Sequence, residues 1–195
     1  MEHYLHNVVE VLVDVIQSVH PLLGILLSGS IIVLESLIPV LPLAVFITLN
    51  QLVFGFAFGF LFSYLFHVLG CLVSFSICRK GVRKFLDRHI KNQKQLELLE
   101  NRITSVNFFS FVVIVALPFT PSFLVNIAAG ISNISYKKFM AGILIGKVFI
   151  IYFWGTVGTS LVESFQNPLI VLRIGIMMLG AFVISKIVSH VFEIK

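Results

Sequence analysis

Two ionisable side chains stand in otherwise apolar sequence, and they are the first candidates for chemistry. Glu35 is the only formal charge between Val15 and Cys78, and Lys147 lies about ten residues into a later apolar stretch. A charge near the middle of a membrane span costs about 2.5–3.5 kcal/mol, so each must pair or face water. We expect both to face one polar cavity and to bind an ion or a charged headgroup; a structural ion pair between two helices is the alternative.

A proline pair interrupts the long uncharged stretch at residues 36–78. Those 43 residues would extend roughly 65 Å as one helix, about twice the hydrocarbon thickness of a bilayer. Pro39 and Pro42 mark the turn, and the dozen residues that begin there are too few to cross. The pattern predicts a span, a re-entrant segment and a second span: Pro21–Ile38, Pro39–Asn50 and Val53–Cys78.

A second proline pair, Pro118 and Pro121, lies near the middle of the uncharged residues 103–136. A re-entrant hairpin with its tip at these prolines fits this pattern, and two ordinary spans kinked by proline are the alternative. Irregular backbone at membrane depth is tolerated where protein or a wet cavity solvates it, so two such breaks indicate an internal polar site. Two more spans are predicted further on: Phe139–Leu161 and Leu169–His190.

Composition and charge set the class of protein. Of the 195 residues 58% are hydrophobic and 12% are charged, which excludes a soluble domain, a disordered chain and a nucleic-acid module. Eight of the fourteen basic residues lie between Arg79 and Arg102, which predicts a cytoplasmic amphipathic segment on the anionic inner leaflet. Five of them are predicted to contact lipid headgroups: Arg79, Lys80, Arg83, Lys84 and Arg88.

These signals predict an all-α polytopic membrane protein with about four transmembrane helices and two oppositely oriented re-entrant hairpins. Both termini are expected in the cytoplasm. The chain forms a single membrane domain, 1–195. Its predicted segments are an amphipathic N-terminal segment (1–20), the first spans and hairpin (21–78), the basic segment (79–104), the second hairpin (105–136) and the last two spans (137–195).

Both halves of the chain repeat one order of signals, a proline pair followed by an asparagine and then a Gly-xxx-Gly pair. The glycine pairs, which permit close helix packing where the hairpins would dock, are Gly55/Gly59 and Gly142/Gly146. Broken segments at matching places in two inverted halves are typical of transporters whose substrate site lies near the midplane.

Motifs for enzymatic chemistry are not found in the sequence. No metal-ligand spacing, phosphate loop or nucleophile elbow occurs, so we expect no enzyme activity, no metal and no cofactor. His67 is interpreted as a hydrogen-bonded core histidine, with a proton relay as the alternative.

Two motifs in combination carry a family resemblance: Glu35-x-x-x-Pro39-x-x-Pro42, and a second one from Pro118 to Gly130. The chain resembles the DedA superfamily, in its SNARE-associated Golgi protein (VTT-domain) branch, over roughly residues 20–165. The resemblance implies two re-entrant hairpins that meet at their tips and an activity that moves lipids between leaflets. The matching positions are Glu35, Pro39, Pro42, Pro118, Pro121, Asn126 and Gly130.

One position departs from the family pattern. Many relatives carry an arginine three residues before the first proline of the second motif, and here Val115 stands there. Arginine is a natural phosphate clamp, so its absence puts anionic-lipid recognition in doubt. Lys147 is our candidate for supplying the missing charge from the next span.

The sequence and the resemblance together predict a lipid transporter or scramblase of a bacterial cytoplasmic membrane. Its partners would be membrane phospholipids or undecaprenyl phosphate, and Glu35 allows proton coupling. An ion-coupled transporter of a small solute and a non-transporting assembly factor remain as alternatives. A second copy of the chain, in a homodimer, is a further candidate partner.

Overall fold

The computed structural model of the protein describes residues 21–38, 43–82, 106–164 and 169–193. These residues form helices and short connections and contain no strand. The predicted N-terminal amphipathic segment, Pro39, Pro42 and most of the basic segment lie outside the described residues. The helices are α1 Pro21–Glu35, α2 Leu43–Ile77, α3 Phe108–Ala116, α4 Ser122–Ile131, α5 Tyr136–Ser164 and α6 Leu169–Glu193, with a π-helical turn at Cys78–Val82.

Three of the described helices are long and apolar enough to cross a membrane, where the sequence predicted about four. They are Leu43–Gly81, Tyr136–Ser164 and Leu169–Val188. The predicted first span, Pro21–Ile38, contains only the 15-residue α1, which is about 22 Å long against about 30 Å of hydrocarbon. After Glu35 the helix ends in a tighter turn, in which the amide of Leu37 donates to the carbonyl of Leu34 at 3.0 Å. Ile38 then precedes a proline, and a residue in that position disfavours the helical conformation.

Helix α2 reverses direction at Gly55, whose φ of 78° and ψ of 159° are non-helical. The side-chain amide of Asn50 donates to Ser63 Oγ at 3.0 Å, although thirteen residues of straight helix would extend about 20 Å. Gly59 packs on the same backbone, because a Cβ there would lie 2.4 Å from the carbonyl oxygen of Asn50. Residues 43–54 and 56–77 are therefore two antiparallel pieces joined at a conformation that only glycine adopts readily.

Helix α1 packs in parallel on the long piece of α2. A Cβ on Gly29 would meet the ring of Phe66 at 2.5 Å, and a Cβ on Gly70 would lie 3.0 Å from the Cα of Val33. The contacts advance in the same direction along both helices, so the two run the same way. The small residues let the backbones approach closely.

Helix α3 packs in parallel on α5 in the same manner. A Cβ on Gly142 would lie 2.3 Å from the ring of Phe111, and a Cβ on Gly146 would lie 2.5 Å from the side chain of Val115. The counterpart of Gly146 in the first half is therefore Gly70, not Gly55 or Gly59 as the sequence pattern suggested. The cause is that Gly55 forms a chain reversal, and nothing lies within 4 Å of a Cβ built there.

The two long helices of the halves run in opposite directions. Phe75, near the end of α2, stacks on Phe139, near the start of α5, at a centroid distance of 4.0 Å. Phe56, at the start of the long piece of α2, meets Tyr152 further along α5 at 6.1 Å. The halves are thus inverted relative to each other around one core cluster: Val68, Cys71, Phe75, Phe111, Val115, Ala129, Ile134, Phe139 and Ile143.

Candidate functional site

One open cavity of about 330 Å³ lies where residues of the two halves meet. The cavity is lined by the C-terminal end of α1, the first residues of α2, the proline turn between α3 and α4, and two residues of α5. Its lining residues are Glu35, Leu43, Ala44, Pro118, Phe119, Thr120, Pro121, Ser122, Ile150 and Trp154. Four of the predicted site positions therefore meet at one place: Glu35, Pro118 and Pro121 in the lining, and Lys147 through its contact with Ser122.

Lys147 is 2% exposed and lies on α5. Its ammonium group donates to Ser122 Oγ at 2.6 Å, and Ser122 is the first residue of α4. Lys147 is the twelfth residue of α5, so the proline turn reaches about 17 Å along that helix. The Cys71 thiol also lies beside the ammonium. A buried ammonium whose hydrogen-bond partners are a neutral hydroxyl and a thiol is incompletely compensated, and an anion beside it would be stabilised.

Glu35 is the last residue of α1, and its Oε2 is buried without a hydrogen-bond partner. Within the described part of the chain no salt bridge joins this carboxylate to a basic side chain, although Glu35 and Lys147 are close enough to interact electrostatically. The two opposite charges therefore flank the cavity without neutralising each other directly. A structural ion pair, the alternative from the sequence, is not formed between them.

Helix ends add to the field in the cavity. The N-termini of α2 and α4 both lie in its wall, through Leu43 and Ser122. No side chain caps α4, since Pro121 stands at its N-cap. The N-terminal end of a helix carries partial positive charge and unpaired N–H groups, which attract anions. Two such ends and Lys147 make this side of the cavity suited to a phosphate or carboxylate.

A column of buried polar side chains runs along α2 beside the cavity. Ser63, His67 and Cys71 recur every four residues, so they share one helix face over about 12 Å. His67 is completely buried, and neither ring nitrogen has a hydrogen-bond partner. The sequence-based interpretation of His67 as a hydrogen-bonded core residue is therefore half wrong: it is in the core, but it is not hydrogen-bonded.

Asn126 joins this column from α4. It is completely buried, its amide has no hydrogen-bond partner, and it lies against the Cys71 thiol. Gly130, one turn further along α4, packs against Cys78, because a Cβ there would lie 2.5 Å from the Cβ of Cys78. Asn126 thus belongs to the polar interior, whereas Gly130 permits close packing.

Sequence reasoning missed Gln51 and its contact with α5. The Gln51 amide is buried and unpartnered, and it occupies the space that a Cβ on Gly155 would need, at 2.1 Å. Thr48 fills the equivalent space at Gly158, at 1.6 Å. The closely spaced glycines of α5 were the available signal, because small residues inside a span mark close helix approach.

Arg79 has a different environment from the headgroup contact predicted for it. Its guanidinium donates to the carbonyls of Gly130 at 2.9 Å, Ala129 at 3.1 Å and Ile134 at 2.8 Å, and it lies over the Phe75 ring. These bonds fasten the C-terminal end of α4 to α2. Lys80 is exposed, and the other predicted headgroup contacts lie outside the described residues: Arg83, Lys84 and Arg88.

Val115 lies in the core, 3% exposed, against Gly146 and hence beside Lys147 in the next position of α5. The position that many relatives fill with arginine and the position of Lys147 are thus neighbours in space.

An inverted helical membrane protein with a charged internal cavity is the class that this fold and site define. The VTT domain family matches residues 38–160 of the chain. The chain belongs to this family, and the resemblance to the DedA superfamily is confirmed.

Two relatives come from Bacillus subtilis (strain 168). The chain is 29% identical to "Uncharacterized membrane protein YhjE" over 174 residues, which cover 87% of this chain and 82% of the relative. It is 24% identical to "Uncharacterized protein YqeD" over 125 residues, which cover 64% of this chain and 60% of that relative. No solved structure matches the chain.

Proposed function

We propose that the protein moves anionic lipids, a phospholipid or a polyprenyl phosphate, between the leaflets of a bacterial cytoplasmic membrane. The observation that carries the proposal is the cavity where Lys147, through Ser122, and two helix N-termini face Glu35 across the meeting point of the two halves. A phosphate headgroup fits this field, while its acyl tails stay in the surrounding lipid.

The proposal includes two re-entrant hairpins that enter from opposite sides. The arms are short: α1 has 15 residues, α3 has 9 and α4 has 10, or about 14–22 Å, less than the hydrocarbon thickness. Irregular backbone at the turns is tolerated at membrane depth when it lines a cavity. Half-helix N-termini that point at an anionic group near the midplane are a recurrent transporter design. With α1 as a hairpin arm, the three long helices are the crossings. With the basic segment inside, the end of α6 would lie in the cytoplasm and the start of α1 on the outer side, in place of the two cytoplasmic termini expected from four spans.

The positively and negatively charged groups have different roles in the proposal. Lys147 and the ends of α2 and α4 stabilise the phosphate, and Glu35 opposes a second anion and allows a proton to accompany the lipid. In this proposal Lys147 supplies the positive charge that arginine would supply at position 115 in the family pattern, since Val115 packs against Gly146, the residue before Lys147. The proposal involves no bond making or breaking, and it needs no metal or cofactor.

An ion-coupled transporter of a small anionic solute is the second candidate. The observation that favours it is the pair of buried, unpartnered side chains His67 and Asn126, because an intramembrane ionisable residue such as His67 commonly marks an ion pathway. A cavity of about 330 Å³ is sufficient for a small solute as well as for a headgroup.

The test is leaflet exchange in proteoliposomes that contain a trace of fluorescent phospholipid, bleached from outside by an impermeant reductant. We expect bleaching well past the outer half for the wild type and a much slower loss for Glu35→Gln. Glu163→Gln is the matched control, because Glu163 is exposed near the end of α5. Bleaching that stops at half with every phospholipid and polyprenyl phosphate tried would contradict the proposal and favour the small solute.

A further inference from the structure

A second cavity, of about 690 Å³, lies on the opposite face of α2 from the polar column. It is a groove between the end of α2 and the start of α5. Its lining residues are Leu69, Leu72, Val73, Ser76, Ile77, Lys80, Gly81 and Tyr136. Because Leu69, Val73, Ser76 and Lys80 follow the helical repeat on one face, and His67 and Cys71 lie on the other, this groove is separate from the cavity at Glu35.

The groove is apolar along most of its length and polar at one end. Its aliphatic wall runs from Leu69 to Ile77, about 12 Å along the helix. The polar end combines Lys80 and Tyr136. Ser76 lies within the wall, and its hydroxyl donates to the carbonyl of Leu72 at 2.7 Å. This order, apolar first and cationic last, matches an acyl chain followed by an anionic headgroup.

The side chains around the polar end have defined neighbours. The Tyr136 ring is held edge-on against Phe75 at 5.6 Å. Arg79, the neighbouring cation, is directed at the carbonyls of Ala129, Gly130 and Ile134, so Lys80 supplies the positive charge of the groove.

We propose that this groove binds one anionic glycerophospholipid, with its phosphate at Lys80 and Tyr136 and an acyl chain along Leu69 to Ile77. Charge complementarity selects an anionic lipid over a zwitterionic one, because a basic residue near a membrane surface attracts anionic headgroups. A soluble anion would leave the apolar wall unused. The site is distinct from the transport cavity, and it stands whether or not the protein moves lipids.

The experiment measures thermal unfolding of the purified full chain in detergent, with added phosphatidylglycerol or phosphatidylcholine. A ligand that binds only the folded state raises Tm. At a lipid concentration far above Kd, the expected rise in Tm is about 5 °C. We expect phosphatidylglycerol to raise Tm and phosphatidylcholine to have little effect. In Lys80→Gln the increase should fall to less than half, whereas Lys137→Gln, an exposed lysine that does not line the groove, should keep it.

Native mass spectrometry of the same proteins gives a second readout that does not depend on stability. The wild type and Lys137→Gln should retain one phosphatidylglycerol, and Lys80→Gln and Tyr136→Phe should retain it several-fold less often. Equal retention of both lipids, or equal retention by Lys80→Gln and the wild type, would overturn the proposal.

Discussion

The two halves of the molecule pack alike but are connected differently. In each, a short first arm lies parallel to a long helix across a glycine, Gly70 in the first half and Gly146 in the second. The second arm of the first half joins its long helix through one residue, Gly55, at a positive φ. In the second half residues 132–135 make the connection, and Arg79 fastens it with three hydrogen bonds.

The same packing arrangement therefore depends on backbone conformation in one half and on side-chain hydrogen bonds in the other. The first half should be sensitive to the loss of a glycine, and the second half to the loss of an arginine. The charges divide in the same way, since Glu35 comes from the first half and Lys147 from the second. The site exists only where the halves meet.

The largest effect is expected from Gly55→Val. A β-branched residue at a φ of 78° and a ψ of 159° occupies a region that is essentially restricted to glycine, at a cost of about 1–3 kcal/mol or more. We expect a lower Tm and a loss of monodisperse protein on size exclusion. Gly175→Ala in α6, where nothing lies within 4 Å of the new Cβ, is the control and should retain the wild-type Tm. A stable Gly55→Val protein would mean that the reversal is not needed.

The next effect is expected from Arg79→Met, which removes the fastening of the second half. Hydrogen bonds to a charged donor contribute about 1.5–3 kcal/mol, and the carbonyls of Gly130 and Ile134 lose the guanidinium. Thermal unfolding should begin at a lower temperature, and Arg79→Lys should recover only part of the loss. Lys80→Met, at the exposed neighbouring position, should change Tm little. Equal Tm values for the two methionine variants would contradict a stabilising role for the Arg79 hydrogen bonds.

Gly70→Ala and Gly146→Ala test whether the halves are equivalent. Each new methyl group meets an atom at 2.6 Å or closer, Ser36 Oγ in one half and the Val115 side chain in the other. Overpacking of this kind costs about 1–3 kcal/mol. We expect similar decreases in Tm from the two substitutions. A tolerated Gly70→Ala beside a damaging Gly146→Ala would show that only one first arm is tightly packed.

The smallest effect on stability is expected from Asn126→Leu. Because the amide has no hydrogen-bond partner, replacing it with an apolar group of similar size should leave Tm unchanged or raise it slightly. Lipid movement should nevertheless slow, since the polar interior beside the cavity shrinks. Asn50→Leu is the contrast, because it breaks the bond to Ser63 and should lower Tm. Unchanged lipid movement in Asn126→Leu would separate the column from transport.

Much of the fold is predictable from hydropathy and proline spacing. The absence of charge and the two proline pairs indicate a helical membrane protein, and the turn at Pro118 to Pro121 lies between α3 and α4. The apolar run before Pro39 predicted a span to Ile38, whereas the described helix ends at Glu35, since hydropathy alone does not mark where a helix ends. Gly55 and Gly59 look like a packing pair in sequence, and only the three-dimensional path separates the reversal from the contact.

The site was less predictable because its parts come from distant segments. Glu35 and Lys147 are conspicuous as charges in apolar sequence, and both are found at one cavity. Their action on a lipid stays a prediction. Gln51 and Ser122 are common polar residues whose position depends on which helices meet. Arg79 was assigned to lipid from charge alone, whereas its hydrogen bonds depend on the end of α4.

The most direct test of the cavity as the headgroup site is the rate of lipid movement in proteoliposomes that contain Lys147→Met. An apolar residue of similar volume should leave the fold intact, because it removes the desolvation cost of the buried Lys147 ammonium. We predict an unchanged or higher Tm and a rate of lipid movement at least about tenfold lower, which corresponds to about 1.4 kcal/mol in the barrier. Lys137→Met, at an exposed lysine, should move lipid like the wild type. A Lys147→Met protein that moves lipid at the wild-type rate would contradict the assignment of this cavity as the headgroup site.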